Sequence, residues 1–469
     1  MSDAFLTQLS FLLDPSSVLT GPSDRAGYQG DFALPRGRKF IAVARPKTTE
    51  DVSNVVKLCH SHGVVITPRG GGTGLAGGAT PIDGRPGIVL SFERLNRVRS
   101  VDSVGATMIV EAGVTLHAAQ AVAREAGFLL GIEHGGAGSS QIGGNFATNA
   151  GGNNVLRYGM ARDQALGLEG VLADGTLVDL LQPLRKNNAG YDLKHLLIGS
   201  EGTLGLITAI SLKLRPLPVR RATAFVSVAT LNQVLLMLEL LQRSLGECLS
   251  AFELIAKSGL DVHFAHAKGG FSPIGSEAPW YLLIEADTAA SQYDVEASLS
   301  ALLGKAIEEN LITDGTIAQS EQHRSEFWRI REGVADATIA TAAAVKSDTA
   351  VAINAIPEFI ERATKAVLAI APECRPVPFG HVGDGNIHFN VFPPTAAHLE
   401  SFLAVRSQVA AVIEDIAIEM GGTISAEHGI GVLKRDSLSR MRPPPQLHLM
   451  RQIKAVFDPG NILNPGKIL

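Results

Sequence analysis

Disulfide chemistry has almost nothing to work with in this chain, whose three cysteines, Cys59, Cys248 and Cys374, are odd in number and form no CxxC pair. That excludes a disulfide framework and offers no iron–sulfur ligand set; it fits a reducing compartment, so the cytoplasm is the expected location. Basic runs are missing too. A net charge of −5 with both signs interspersed gives neither nucleic acid nor an anionic membrane an electrostatic footprint. No stretch approaches the roughly 18 consecutive apolar residues of a membrane span. The first residues carry Asp3 and no arginine ahead of a short apolar stretch, which argues against a secretory signal and a mitochondrial presequence. What the chain has is length and glycine. Its 469 residues suffice for two or three domains, and its 49 glycines are gathered in a few clusters rather than spread as low complexity.

The first cluster follows a segment of clear helical period. In TTEDVSNVVKLCHSHG, Val52, Val55, Val56 and Cys59 share one face, a threonine precedes the run and Gly63 ends it. A short β-branched strand comes next, then Arg69 to Gly78 with six glycines able to bring bare backbone amides against an anion such as a pyrophosphate. Gly72, Gly74 and Gly77 match GxGxxG, but TPIDGRPGIVL follows, with Pro81 and Pro86 where a dinucleotide-binding fold needs a helix. A Rossmann reading is therefore rejected. The second cluster, Gly131 to Asp163, shows little helical or strand period and reads as a long functional loop. LGLEGVLADGTLVDLL reads as a hairpin turning at Asp174-Gly175, and a third cluster follows His195. Three such walls could enclose one extended, phosphate-bearing ligand.

Histidines carry the second signal. In PFGHVGDGNIHFN, the turn residues Gly383 to Asn386 separate two apolar flanks, placing His381 and His388 on opposite arms of a hairpin, with Asn390 on the His388 face. SAEHG adds Glu427 and His428. Two imidazoles and a carboxylate suit zinc or manganese with positions left open, and a spare histidine beside a Lewis acid is a general-base candidate. Histidines satisfied by hydrogen bonds in a strand-rich core are the competing reading.

PRGGGTGLAGG, IGGNFATNAGG, GYDLKHLLIGSEGTLGLIT, GHVGDGNIHFN, SAEHGIGVLK and FDPGNILNPGKIL stand in order from about residue 35 to the C-terminus. Together they resemble the FAD-linked D-2-hydroxy-acid dehydrogenases of the vanillyl-alcohol-oxidase flavoprotein fold. LSAFELI, the segment ending WRIRE, and KSD resemble the hydroxyglutarate branch more than the lactate or glycolate branches. The resemblance implies an α+β chain: an FAD-binding domain over 1–218, an inserted substrate domain with an antiparallel sheet over 219–421, and a C-terminal segment over 422–469 returning to the FAD domain.

It also implies roles. Arg69, Gly70, Gly71, Gly72, Thr73 and Gly74 would hold the FAD pyrophosphate, with Gly143, Gly144, Thr148, Asn149, Gly151, Gly152, Glu201, Gly202 and Ile207 completing the cofactor site. Glycine and threonine stand where some relatives carry a flavin-linking histidine, so FAD is expected to be non-covalent. His381, His388 and Glu427 would bind a divalent metal, zinc or else manganese; Arg331, Lys346, Asn390 and His428 would face the substrate, with His428 as base. Ala335 departs from the hydroxyl that the hydroxyglutarate enzymes place four residues after the arginine, and SDTAVAINAIPEF departs from their valine-proline pattern. The expected partners are a small 2-hydroxy acid and an external acceptor such as an electron-transfer flavoprotein or quinone, with a homodimer as a compatible assembly. A metal-dependent hydrolase that merely binds a phosphorylated ligand is the reading from another class, as is a fold relative that uses FAD without redox turnover.

Overall fold

The computed structural model describes residues 2–268 and 272–469. The chain forms two compact units: residues 1–152, 159–217 and 427–469 make one, and 153–158 with 218–426 make the other.

In the first unit, the helix Thr49–His62 links two parallel strands, Ala42–Ala44 and Val65–Arg69, that flank Gly87–Ser91 in a four-stranded sheet completed by Val18–Leu19. Thr48 closes a capping box with Asp51, and Gly63 ends the helix in the left-handed conformation that its missing Cβ permits. Val52, Val55, Val56 and Cys59 are buried against Ile66, Ile88 and Leu90, as the helical period predicts. A five-stranded antiparallel sheet runs in the order Val98–Asp102, Thr107–Glu111, Leu206–Lys213, Ala165–Val171, Leu177–Leu180. Its last two strands are the hairpin expected around Gly175. No helix follows the first glycine cluster before Gly87, which agrees with rejecting a Rossmann unit. The second cluster is more regular than its sequence suggests: Ile142–Ala147 is a short helix with Ile142 and Phe146 buried, so packing outweighs the poor propensity of Gly143 and Gly144. The C-terminal segment lies along the first strand system. Ile66 donates to Ile462 and accepts from Asn464, while Asp458 accepts from the amides of Ile462 and Leu463.

The second unit is built on one seven-stranded sheet in the order Asp314–Ile317, Arg220–Val228, Trp280–Thr288, Leu249–Ala256, Arg375–His381, Asn386–Phe392, Thr349–Ala350. All its pairings are antiparallel. Strand alternation sorts the side chains: Phe252, Leu254, Ile387 and Phe389 pack with the helices Leu231–Leu245, Val295–Glu308, Ile356–Ile370 and Leu399–Glu419. Ala251, Ile255, Val377 and Phe379 belong to the opposite face, covered by Lys257–Ala267 and Glu321–Ala340. Leu238, Leu241 and Leu245 are buried in the first of these cores, as their spacing implies. The unit extends to Ala426 because Thr423 pairs with Ala350 and the Ala426 amide donates to the Asp348 carbonyl.

Candidate active site

The glycine clusters of the first unit converge on one cleft, with about 920 Å³ of open space including its mouth. Arg69 to Gly74, Gly143, Gly144, Thr148, Glu201, Gly202 and Ile207 line it, together with His428. Its chemistry is that of a cradle for an extended anion. Gly71 lies so close to the next wall that a Cβ there would stand 1.8 Å from the Ser139 carbonyl oxygen, and Gly72 has φ +71°. Around Gly144 the situation is reversed: a Cβ would meet nothing within 4 Å, so the cleft opens beside it. Any side chain there would occupy ligand space. Gly144→Leu is expected to yield a folded but colourless protein, because a better helix former adds about 0.5–1 kcal/mol of apo stability while its side chain fills the space expected to take the flavin. Flavin absorbance per mole of purified protein, read beside a thermal melt, checks this.

Several expected cofactor residues have other occupations. The Arg69 guanidinium donates to the carbonyls of Gly27 and Gly30 and lies over the Tyr28 ring, so it braces the loop from behind. Glu201 accepts from the amides of Ile430 at 2.7 Å and Gly431 at 2.8 Å, tying the cleft wall to the segment after His428. Burial pushes its carboxyl up, against those two hydrogen bonds. Asn149, Gly151 and Gly152 are not among the residues lining the cleft. Asn149 accepts from the Arg162 amide, and the Gly152 amide donates to Glu427 Oε1 at 2.8 Å. His134 accepts from the Gly136 amide and lies 3.3 Å from Asn145 Oδ1. Asp31 lines the cleft without having been signalled by any motif, and Gln141 and Asn145 line it from the second glycine cluster, where only its glycines, Thr148 and Asn149 had been given a cofactor role.

In the second unit the hairpin Arg375–Phe392 is formed, with Gly385 at φ +90° in its turn. Its register sets Phe379 opposite His388 and His381 opposite Asn386, so the two imidazoles are diagonal neighbours on one face, 5.6 Å apart in an edge-to-face arrangement. The same register pairs Thr349 with Ile387, which puts Asp348 across from His388 and Lys346 across from Asn390. Asp348 Oδ1 lies 3.9 Å from His388 Nδ1. One strand inward, Glu253 faces His381 and is 1% exposed.

Helix Glu321–Ala340 lays Arg324, Trp328, Arg331 and Thr338 over this face at helical spacing. Arg324 and Trp328 donate to Glu285. Arg331 Nε donates to Glu253 Oε2 at 2.8 Å, the guanidinium sits over the Phe379 ring, and Arg331 Nη2 has no hydrogen-bond partner among the described residues. Arg329 points away and is exposed. Asn390 accepts from the Ser347 amide and donates to Thr338 Oγ1, which holds its carboxamide in one orientation. Lys346 is exposed, and desolvation with the nearby Arg406 lowers its ammonium pKa. Burial alone would raise the Glu253 carboxyl, but its neighbours His381 and Arg331 outweigh it and hold the group well below the usual carboxylate range.

Family comparison agrees with this geometry. The family described as "FAD linked oxidases, C-terminal domain" matches residues 217–468, and "FAD binding domain" matches 40–181, the stretch that holds the first two glycine clusters. The chain belongs to the FAD-linked oxidase family. Among these FAD-binding proteins it is 37% identical over 97% of its length, and 81% of the relative's, to the mitochondrial D-2-hydroxyglutarate dehydrogenase of Bos taurus. It is 36% identical to the D-2-hydroxyglutarate dehydrogenase of Xanthomonas citri pv. viticola, covering 100% of this chain and 97% of that one. Solved structures place the flavoprotein in the vanillyl-alcohol-oxidase type of α+β fold. p-Cresol methylhydroxylase superposes with TM-score 0.77 at 15% identity, over 99% of this chain and 96% of that one. An alkyldihydroxyacetonephosphate synthase gives 0.74 at 18%, over 99% and 84%. At those identities they establish the fold alone. Among the described residues no helix is long and apolar enough to cross a membrane.

Proposed function

We propose that this flavoprotein oxidises D-2-hydroxyglutarate, and D-malate as a shorter dicarboxylate, to the 2-oxo acid and passes the electrons to an external acceptor. The observation that carries the reading is nearly full-length kinship with dehydrogenases named for that acid. The site chemistry supports it. FAD supplies a two-electron acceptor, and a divalent metal, zinc with manganese as the alternative, supplies a Lewis acid. His381 and His388, diagonal on one face with carboxylates behind them, form a donor pair suited to such a metal, and Glu427 is the third ligand read from SAEHG. FAD is held without a covalent bond, since glycine and threonine stand at the first-loop positions where some relatives carry a flavin-linking histidine.

The chain's own residues then divide the work. His428, on the cleft wall, takes the hydroxyl proton. Arg331 turns its unpartnered Nη2 to a substrate carboxylate, and Asn390, fixed by Ser347 and Thr338, orients the acid. Lys346 reads the distal carboxylate. Its exposure, with Ala335 in place of a hydroxyl, is the observation that favours a second reading, D-lactate or glycolate oxidation by the same machinery.

Lys346→Ala separates the two. It is expected to lower kcat/KM for D-2-hydroxyglutarate far more than for D-lactate, an exposed charged contact being worth about 0.2–1 kcal/mol and a desolvated one about 1.5–3 kcal/mol. Equal losses, measured by steady-state assay with both acids, would place this chain with the lactate enzymes. Chelation is expected to abolish turnover while the flavin spectrum of the bound cofactor persists, and added zinc or manganese to restore it. The experiment that tests the function is an anaerobic screen of flavin bleaching by D-2-hydroxyglutarate, D-malate, D-lactate and glycolate. An electron-transfer flavoprotein or quinone is the proposed acceptor, a homodimer the proposed assembly, and the cytoplasm the proposed location.

A further inference from the structure

Two buried carboxylates lie under the helix Glu321–Ala340, and they are used differently. Glu285 accepts from Arg324 and Trp328, which fasten helix to sheet, and from Thr223 on the neighbouring strand. Glu253 has other partners. Its Oε2 accepts from Arg331 Nε and its Oε1 lies 2.8 Å from His381 Nδ1, so one carboxylate is divided between the arginine and the imidazole.

We propose that Glu253 is a positioning residue that fixes Arg331 and His381 together, coupling the grip on the substrate carboxylate to the metal-binding state of the imidazole. The proposal rests on the function proposed above. An ionised carboxylate can only accept, so His381 must donate from Nδ1, and the lone pair that a metal requires is carried by Nε2. The same carboxylate consumes the Arg331 Nε–H, while Nη2, on the same edge of the guanidinium, has no hydrogen-bond partner among the described residues and is left for a substrate carboxylate. Burial at 1% exposure denies both partners a substitute from solvent.

A carboxamide cannot do both. With its oxygen toward Arg331 it would present N–H to His381 Nδ1, forcing the proton onto Nε2 and removing the lone pair; turned round, it would set N–H against the guanidinium. Glu253→Gln is therefore expected to weaken Zn²⁺ affinity by about 10- to 100-fold, the range seen when a carboxylate behind a ligating histidine is lost. Because a carboxamide oxygen prefers the charged arginine, the main loss should fall on the metal: turnover recovers as Zn²⁺ is raised, and KM shifts less. Glu285→Gln, which touches neither group, is expected to lower the melting temperature without moving zinc affinity.

The test is a titration of the full-length, FAD-loaded proteins with Zn²⁺ alone against a competing chromophoric chelator, followed by kcat and KM at saturating metal. If Glu253→Gln does not fold, Glu253→Asp keeps the charge but is one methylene too short for both partners, and it should show the same loss in smaller measure. Zinc affinity and KM both indistinguishable from wild type in a folded Glu253 variant would overturn the proposal, as would wild-type protein that takes up no zinc. A wild-type flavin that D-2-hydroxyglutarate fails to bleach overturns the proposed function instead, and the zinc titration still judges Glu253.

Discussion

Replacing His428 by alanine is expected to lower turnover by about 10²–10⁴-fold, the usual contribution of a positioned general base, while FAD remains bound. The residue lines the cleft formed by the glycine clusters, the site proposed for the flavin. Its neighbours are set by the backbone: Glu427 accepts from the Gly152 amide, and Glu201 accepts from the amides of Ile430 and Gly431. Those backbone contacts on either side of the residue hold the loop, so the variant is expected to keep its cofactor. Rapid mixing under anaerobic conditions reads the chemical step directly, and an unchanged rate of flavin reduction in His428→Ala would assign the base to another group.

The second large effect is expected at Arg331, where two substitutions separate binding from folding. Arg331→Lys keeps a cation against Glu253 but has no second nitrogen at a fixed angle, so the substrate carboxylate loses a charged hydrogen bond worth about 1.5–3 kcal/mol, or roughly 10- to 150-fold in kcat/KM. Arg331→Met strands Glu253 with one partner in a site that is nearly closed to water, and breaking such a pair costs about 3–5 kcal/mol of stability. The lysine variant should melt close to wild type with impaired kinetics, and the methionine variant should melt far lower. Both melting with wild-type behaviour would mean that the Glu253 contact is not formed in solution.

How much of this was legible in the sequence depended on how far apart the interacting residues stand in the chain. Thr48, the valine stripe and Gly63 defined a helix because each signal is local. The histidine hairpin was equally readable, since four turn residues fix the register that brings His381 and His388 to one face. The short helix Ile142–Ala147 was hidden because two glycines and an asparagine break the apolar period, and only tertiary burial of Ile142 and Phe146 restores it. The role given to Arg331 rested on resemblance; the physical reason is that Arg331 shares the face of Arg324 and Trp328, while the nearby Arg329 turns to solvent. Glu253 escaped notice. It sits in an apolar strand, LSAFELIA, and its partners lie 78 and 128 residues further along the chain, where no spacing rule connects them. The second role of Arg69, bracing the carbonyls of Gly27 and Gly30, was invisible for the same reason.

The central claim, that a D-2-hydroxy dicarboxylic acid gives its hydride to FAD in this protein, is tested most directly by one anaerobic titration. Purified yellow protein is mixed with D-2-hydroxyglutarate in the absence of oxygen, and flavin bleaching is followed together with 2-oxoglutarate formed. The account predicts complete bleaching with one 2-oxoglutarate per flavin reduced, and no bleaching by the L-enantiomer. A flavin that stays oxidised with every D-2-hydroxy acid, or a purified protein that carries no flavin, would contradict it.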